Sequence, residues 1–65
     1  MRLTINGEHR EVTARTVLGL LEELGLNPAA TVVERNAQIV PAPAFRKTAL
    51  LDGDVLELVG IVGGG

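Results

Sequence analysis

Thr16-Val17-Leu18-Gly19-Leu20-Leu21-Glu22-Glu23-Leu24-Gly25-Leu26-Asn27-Pro28 is the stretch from which the rest of the 65-residue chain can be laid out. Val17, Leu20, Leu21 and Leu24 stand at i, i+3, i+4 and i+7, which puts them on one face of a helix, while Glu22 and Glu23 turn to water. Thr13 and Thr16 are both candidate caps, and Thr16, directly before Val17, is the better placed. Gly25 suits the left-handed residue that closes a helix, Leu26 can fold back on the last turn, and Pro28 is expected to prevent resumption. Gly19 costs up to about 1 kcal/mol relative to alanine in mid-helix; the expected reason is a backbone passing close to it. A single amphipathic helix needs another layer to cover its apolar stripe.

Working upstream, Met1, Leu3 and Ile5 alternate with Arg2 and Thr4, the period-2 pattern of a strand with one buried face. Asn6-Gly7 readily takes the positive φ angles of a tight turn, and the return strand spans Glu8 to Val12, kept polar by His9, Arg10 and Glu11. Downstream, Thr31 to Arg35 is rich in β-branched residues, Asn36-Ala37 is a turn, and Gln38-Ile39-Val40 is a short returning strand. Pro41 and Pro43 lack an amide hydrogen and break that ladder, so Ala42 to Lys47 is expected to be irregular or 3₁₀, with Phe45 as its anchor in the core. Asp52-Gly53-Asp54 is a turn, and Val55 to Val59 is the last strand. This order of elements makes an α+β domain over residues 1–59, with the helix across one face of a single sheet. Glu57 belongs in water, so Leu56 and Leu58 face the helix, and Val55 and Val59 fall on the open face with Ile61 just beyond.

Composition narrows the classes. One domain of this length sits near the lower size limit for a self-supporting core, and without cysteine neither disulfides nor thiolate metal ligands can staple it. The chain is 46% hydrophobic with Phe45 its single aromatic, so an aliphatic core takes most of the apolar residues and leaves little interior for a catalytic pocket. A net charge of -2, with no basic run and no Trp or Tyr, argues against a nucleic-acid partner. No apolar run approaches the roughly 20 residues of a membrane span, and the amino terminus is not a signal peptide, so the expected compartment is the cytoplasm.

The side chains supply no reaction centre. His9 stands alone after a turn, with no second histidine or cysteine to make a metal site or a nucleophile pair. Asp52 and Asp54 flank a glycine ahead of a strand, which a turn accounts for more simply than acid-base work or cation binding. Glu34-Arg35-Asn36 is a polar strand end and turn. No metal site is expected. The glycines after the last strand are not a phosphate loop, because no helix follows and no Lys-Ser or Lys-Thr completes the motif.

That leaves residues 60–65, Gly60-Ile61-Val62-Gly63-Gly64-Gly65. Taken alone, such a tail is a frayed end or a cloning remnant. It also offers slenderness and a carboxylate, and fully extended it reaches about 20 Å at roughly 3.3 Å per residue, enough to enter a deep pocket on another protein. A carboxylate resists nucleophiles at neutral pH. Coupled to AMP it becomes an acyl adenylate with a good leaving group, open to sulfide or an amine. Such use needs an accessible carboxylate, a penultimate residue without bulk and a thin approach, and the triple glycine meets all three needs.

The chain resembles a family along essentially its whole length. The features are the opening strand pair, the leucine-rich helix ending Glu-Leu-Gly-Leu (Glu23 to Leu26), Val-Glu-Arg-Asn (Val33 to Asn36), Ile39-Val40-Pro41, Asp52-Gly53-Asp54 with Leu-Glu-Leu-Val (Leu56 to Val59), and Val-Gly-Gly-Gly (Val62 to Gly65). Together they resemble the ThiS family of thiamine-biosynthesis sulfur carriers. That resemblance implies the ubiquitin-like β-grasp fold, with one helix on a mixed four- to five-stranded sheet whose first and last strands are parallel and central. It further implies adenylation of Gly65 by an ATP-using ThiF-type adenylating enzyme, and conversion to a thiocarboxylate with sulfur that comes from cysteine, through a cysteine desulfurase or other donor. Thiazole synthase is the implied acceptor. Many members carry Trp or Tyr near Phe45, a departure that touches packing rather than chemistry.

The expectation is therefore a carrier cosubstrate, not an enzyme, monomeric when free, with no bound cofactor and with ATP consumed by its partner. Gly65 bears the sulfur, Gly63 and Gly64 thread partner active sites, and Val55, Val59, Ile61 and Val62 dock. The rival readings are a molybdopterin-synthase sulfur carrier and a ubiquitin-like interaction or modifier domain.

Overall fold

The computed structural model describes residues 1–61. Helix α1 runs from Val17 to Glu23. The amides of its first turn are all accounted for, as orphan donors at a buried helix end must be. The Gly19 amide donates to the Thr16 hydroxyl at 3.1 Å, and those of Val17 and Leu18 donate to the carbonyls of Thr48 and Phe45, each at 3.0 Å. At the far end Gly25 adopts φ +72°. Its amide reaches the Glu22 carbonyl at 3.1 Å and that of Leu26 the Leu21 carbonyl at 2.8 Å, the two bonds of a glycine-closed helix.

As expected, the α-helix does not resume beyond Gly25; Pro28 instead opens a short 3₁₀ turn, Pro28–Ala30, in which Asn27 Oδ1 accepts the Ala29 amide at 2.9 Å. Proline lacks a donor that the first turn would leave unpaired anyway, so it can start such a turn. One expectation about this region needs correcting: no backbone crowds Gly19. A Cβ there would meet the Thr16 hydroxyl oxygen at 3.2 Å and the Ala14 methyl at 3.6 Å, so the close neighbours are the cap and its approach.

The strands are β1 (Arg2–Ile5), β2 (Glu8–Glu11), β3 (Thr31–Arg35), β4 (Gln38–Val40) and β5 (Val55–Gly60). They form one mixed sheet in the order β2-β1-β5-β3-β4. Strand β1 pairs parallel with β5, and the remaining neighbours are antiparallel. The first and last strands are thus adjacent and central, as the resemblance implies. Strand β2 stops one residue short of the expected Val12, whose amide instead bonds the Met1 carbonyl at 2.9 Å while its side chain is buried. Strand β5 runs one residue past Val59.

Alternation along the central strands sends Leu3, Ile5, Val33, Leu56 and Leu58 to the helix side, where they meet Val17, Leu20 and Leu21. Leu3, Leu20, Leu21, Leu56, Val17 and Val33 are fully buried. Phe45 follows the 3₁₀ turn Ala42–Ala44 into the same core. Truncating a buried leucine here is expected to cost about 2–5 kcal/mol, a large share of the roughly 5–15 kcal/mol that holds such a domain together.

Candidate functional site

The residues singled out in the sequence lie where β5 delivers the chain to residues 60–65. Strand β5 registers with β1 at Thr4 with Val55 and Ile5 with Leu56, and with β3 over five pairs from Thr31 with Gly60 to Arg35 with Leu56. Among the described residues, the last bond on this path runs from the Ile61 amide to the Ala30 carbonyl at 2.7 Å.

Two asparagines hold β5 where its neighbours run out. Asn6, just past β1, takes the Leu58 amide on its Oδ1 at 2.8 Å and donates Nδ2 to the Leu58 carbonyl at 3.1 Å. Its own amide bonds the Leu56 carbonyl at 2.9 Å. The Asn6 side chain therefore continues the β1 ladder for one more residue. Asn36, just past β3, does likewise at the other end: its Oδ1 accepts the Val55 amide at 2.9 Å and its amide donates to the Val55 carbonyl at 2.8 Å.

Asn36 also donates Nδ2 to Asp54 Oδ1 at 3.0 Å. Asp54 is only 6% exposed. Its Oδ2 accepts Arg35 Nε and the Leu51 amide, each at 2.8 Å. Burial pushes the Asp54 carboxyl up, but the bonds from Asn36, Leu51 and Arg35, with the Arg35 charge, outweigh it and hold the carboxyl below the ordinary aspartate value. The result is a charged knot that fixes the turn before β5 to the end of β3. Asp52 accepts the Arg2 amide at 2.7 Å on the outer side of the same turn. Elsewhere, Glu23 gathers the Thr13 hydroxyl and the Thr13 and Ala14 amides at 2.8 to 3.2 Å, first of all the Thr13 hydroxyl, and its carboxyl is lowered in consequence.

On the face away from α1, Val55, Val59 and Ile61 are 46%, 59% and 55% exposed. Val32 lies opposite Val59 and joins them. These residues therefore share one surface that leads along β5 to Ile61. Val62, Gly63, Gly64 and Gly65 lie outside the described residues. His9 is an exposed residue whose Nδ1 lies 3.2 Å from the Thr4 hydroxyl. Among the described residues no three His, Cys, Asp or Glu side chains gather as a metal site, and no helix is long and apolar enough to cross a membrane.

The asparagine clamps and the Arg35–Asp54 pair were not legible in the sequence. Asn6 and Asn36 register there as turn residues, and their partners on β5 are 52 and 19 positions away. The only local hint is that each opens the turn of a hairpin.

Comparison with known proteins agrees with this geometry. The ThiS family model matches residues 3–65. A thiazole synthase from Paramagnetospirillum magneticum is 48% identical over 66 positions, which take in 100% of this chain and 20% of that protein. The sulfur carrier protein ThiS of Bacillus subtilis is 38% identical over 50 positions, covering 77% of this chain and 76% of that protein. The crystal structure of the thiamine biosynthesis protein ThiS from Geobacter metallireducens superposes with a TM-score of 0.84 at 33% identity, with 100% of both chains covered. The chain spans about a fifth of the length of the curated thiazole synthases it matches.

Proposed function

The chain belongs to the ThiS family, and from that premise we propose that it carries sulfur for thiazole formation in thiamine biosynthesis, as a cosubstrate and not an enzyme. The observation that carries the reading is the reach of the family match, which runs through Gly63, Gly64 and Gly65. The reacting group is the Gly65 carboxylate. One of its oxygens attacks the α-phosphorus of ATP on a ThiF-type enzyme and pyrophosphate leaves. A cysteine desulfurase moves the sulfur of cysteine onto a thiol as a persulfide, and a thiol reductant cleaves that persulfide to sulfide and is itself oxidised to a disulfide. The sulfide attacks the acyl carbon, so that AMP leaves and a thiocarboxylate remains. Gly63 and Gly64 give the tail the slender profile needed to thread an active site, while Val55, Val59, Ile61 and Val62 form the docking surface.

What the protein contributes is positioning. A central strand paired on both sides and clamped by Asn36 at Val55 and by Asn6 at Leu58 holds the point from which the tail departs in a fixed place on the body. The thiazole-synthase relatives favour the thiamine pathway over the molybdopterin one, with thiazole synthase as the acceptor. On this reading the carrier works in the cytoplasm, where the activating enzyme uses ATP.

Incubation with ATP, the adenylating enzyme, a cysteine desulfurase, cysteine and a thiol reductant, followed by intact mass measurement, tests the proposal. The expected result is a mass change matching one oxygen replaced by sulfur, located on Gly65. Failure to form adenylate or thiocarboxylate with a verified cognate enzyme overturns it. So does continued sulfur uptake by a chain extended one residue past Gly65.

A further inference from the structure

Glu34 and Glu57 stand directly opposite each other in the β3–β5 pairing. They lie on the sheet face away from α1, and like charges so placed oppose the pairing that brings them together. Nothing in the body neutralises them: among the described residues the ion pairs are Met1 with Glu11 and Arg35 with Asp54. The row continues across β4 to Ile39, and the next row of the same face is Val32 with Val59. Two carboxylates thus sit among exposed aliphatics, Ile39 at 62%, Val59 at 59%, Val55 at 46% and Val32 at 39%.

The make-up of this patch selects its partner. A purely apolar surface laid over it would strip water from two carboxylates and leave them unpaired, a heavy cost. A surface that sets arginine or lysine between aliphatic side chains relieves the repulsion and covers the valines in the same act, with arginine better suited because its fork can take a carboxylate with two bonds. The patch also runs on toward Ile61, and residues 62 to 65 fully extended reach at most about 14 Å beyond it.

We propose that the Glu34–Glu57 pair, framed by Val32, Ile39, Val55 and Val59, is the recognition patch for a cationic, aliphatic-flanked surface on the enzyme that adenylates the tail. The inference rests on the carrier reading above and adds the chemistry of the partner. The two carboxylates act in docking and take no part in the reaction at the carboxyl terminus.

The test is carrier-dependent ATP–pyrophosphate exchange by the adenylating enzyme, with wild type, the E34Q/E57Q double variant and the charge-reversed E34R/E57R. The double glutamine variant should raise the KM for the carrier about tenfold at low salt with little change in kcat, and the gap should narrow as salt is added. Its melting temperature should equal or exceed that of wild type, which separates lost docking from lost folding. E34R/E57R should be activated least. Equal KM values for wild type and E34Q/E57Q overturn this inference while the carrier reading stands; an inert wild type overturns both. An unchanged adenylation KM with slowed sulfur transfer to thiazole synthase would assign the patch to that acceptor and overturn the present assignment.

Discussion

The Asn6-Gly7 and Asn36-Ala37 turns close the two hairpins with the same left-handed backbone, φ +50° and +83° in the first and +49° and +70° in the second. Both asparagines then reach across to β5, yet the ends they hold differ in kind. At Asn6 the clamp is a neutral amide on one residue of β5, with Gly7 beside it in a conformation that costs glycine nothing. At Asn36 the clamp is tied to a buried carboxylate and a guanidinium, and the turn's second position is an alanine, where a left-handed backbone costs about 1 kcal/mol. The strand that leads to the tail is therefore locked by charge where it starts and by a simple amide further along. A local strain is tolerated at the charged end because the bonds gathered there exceed it.

Substitutions can break that contrast, and the largest effect is expected at Asp54. Asp54→Ala leaves Arg35, Asn36 and the Leu51 amide without their acceptor, and should cost about 3 kcal/mol in urea unfolding at neutral pH. The same carboxyl gives the contrast a pH signature. Its native pKa is lowered, so its stabilisation is complete above the unfolded value of about 3.9 and is lost as pH falls through the lower native value. Melting temperature should drop as pH falls below about 4, and Asp54→Asn should flatten that slope. Asn6→Gly should leave the slope intact; a slope that flattens equally in both variants would contradict the assignment of charge to one end. Glu23, also lowered by its bonds from Thr13 and Ala14, adds its own share of the acid loss, which Glu23→Gln should remove.

Next in size are the clamps themselves. Glycine keeps the left-handed backbone without strain, so Asn36→Gly isolates the side-chain bonds and should cost about 2 kcal/mol, against about 1 kcal/mol for Asn6→Gly. Hydrogen exchange should localise each effect, with the Val55 amide exposed in the first variant and the Leu58 amide in the second. The smallest pair concerns the turns' second positions. Ala37→Gly should stabilise by roughly 0.5–1 kcal/mol, while Gly7→Ala should destabilise by about the same amount, readable as opposite shifts in melting temperature.

The sequence by itself determined the helix and its caps at Thr16 and Gly25, both hairpins, and the inward set of Leu56 and Leu58, because each depends on the period of apolar residues or on chemistry within a few positions. It also pointed to the tail, since so little chemistry lay elsewhere. What only the tertiary structure decided are contacts between residues far apart in the chain: Asn6 with Leu58, Asn36 with Val55, Arg35 with Asp54, and the opposition of Glu34 and Glu57. A one-dimensional pattern records which face a residue prefers but not which distant strand will lie beside it. Register fixes that, and register is settled by the packing of the whole sheet against α1.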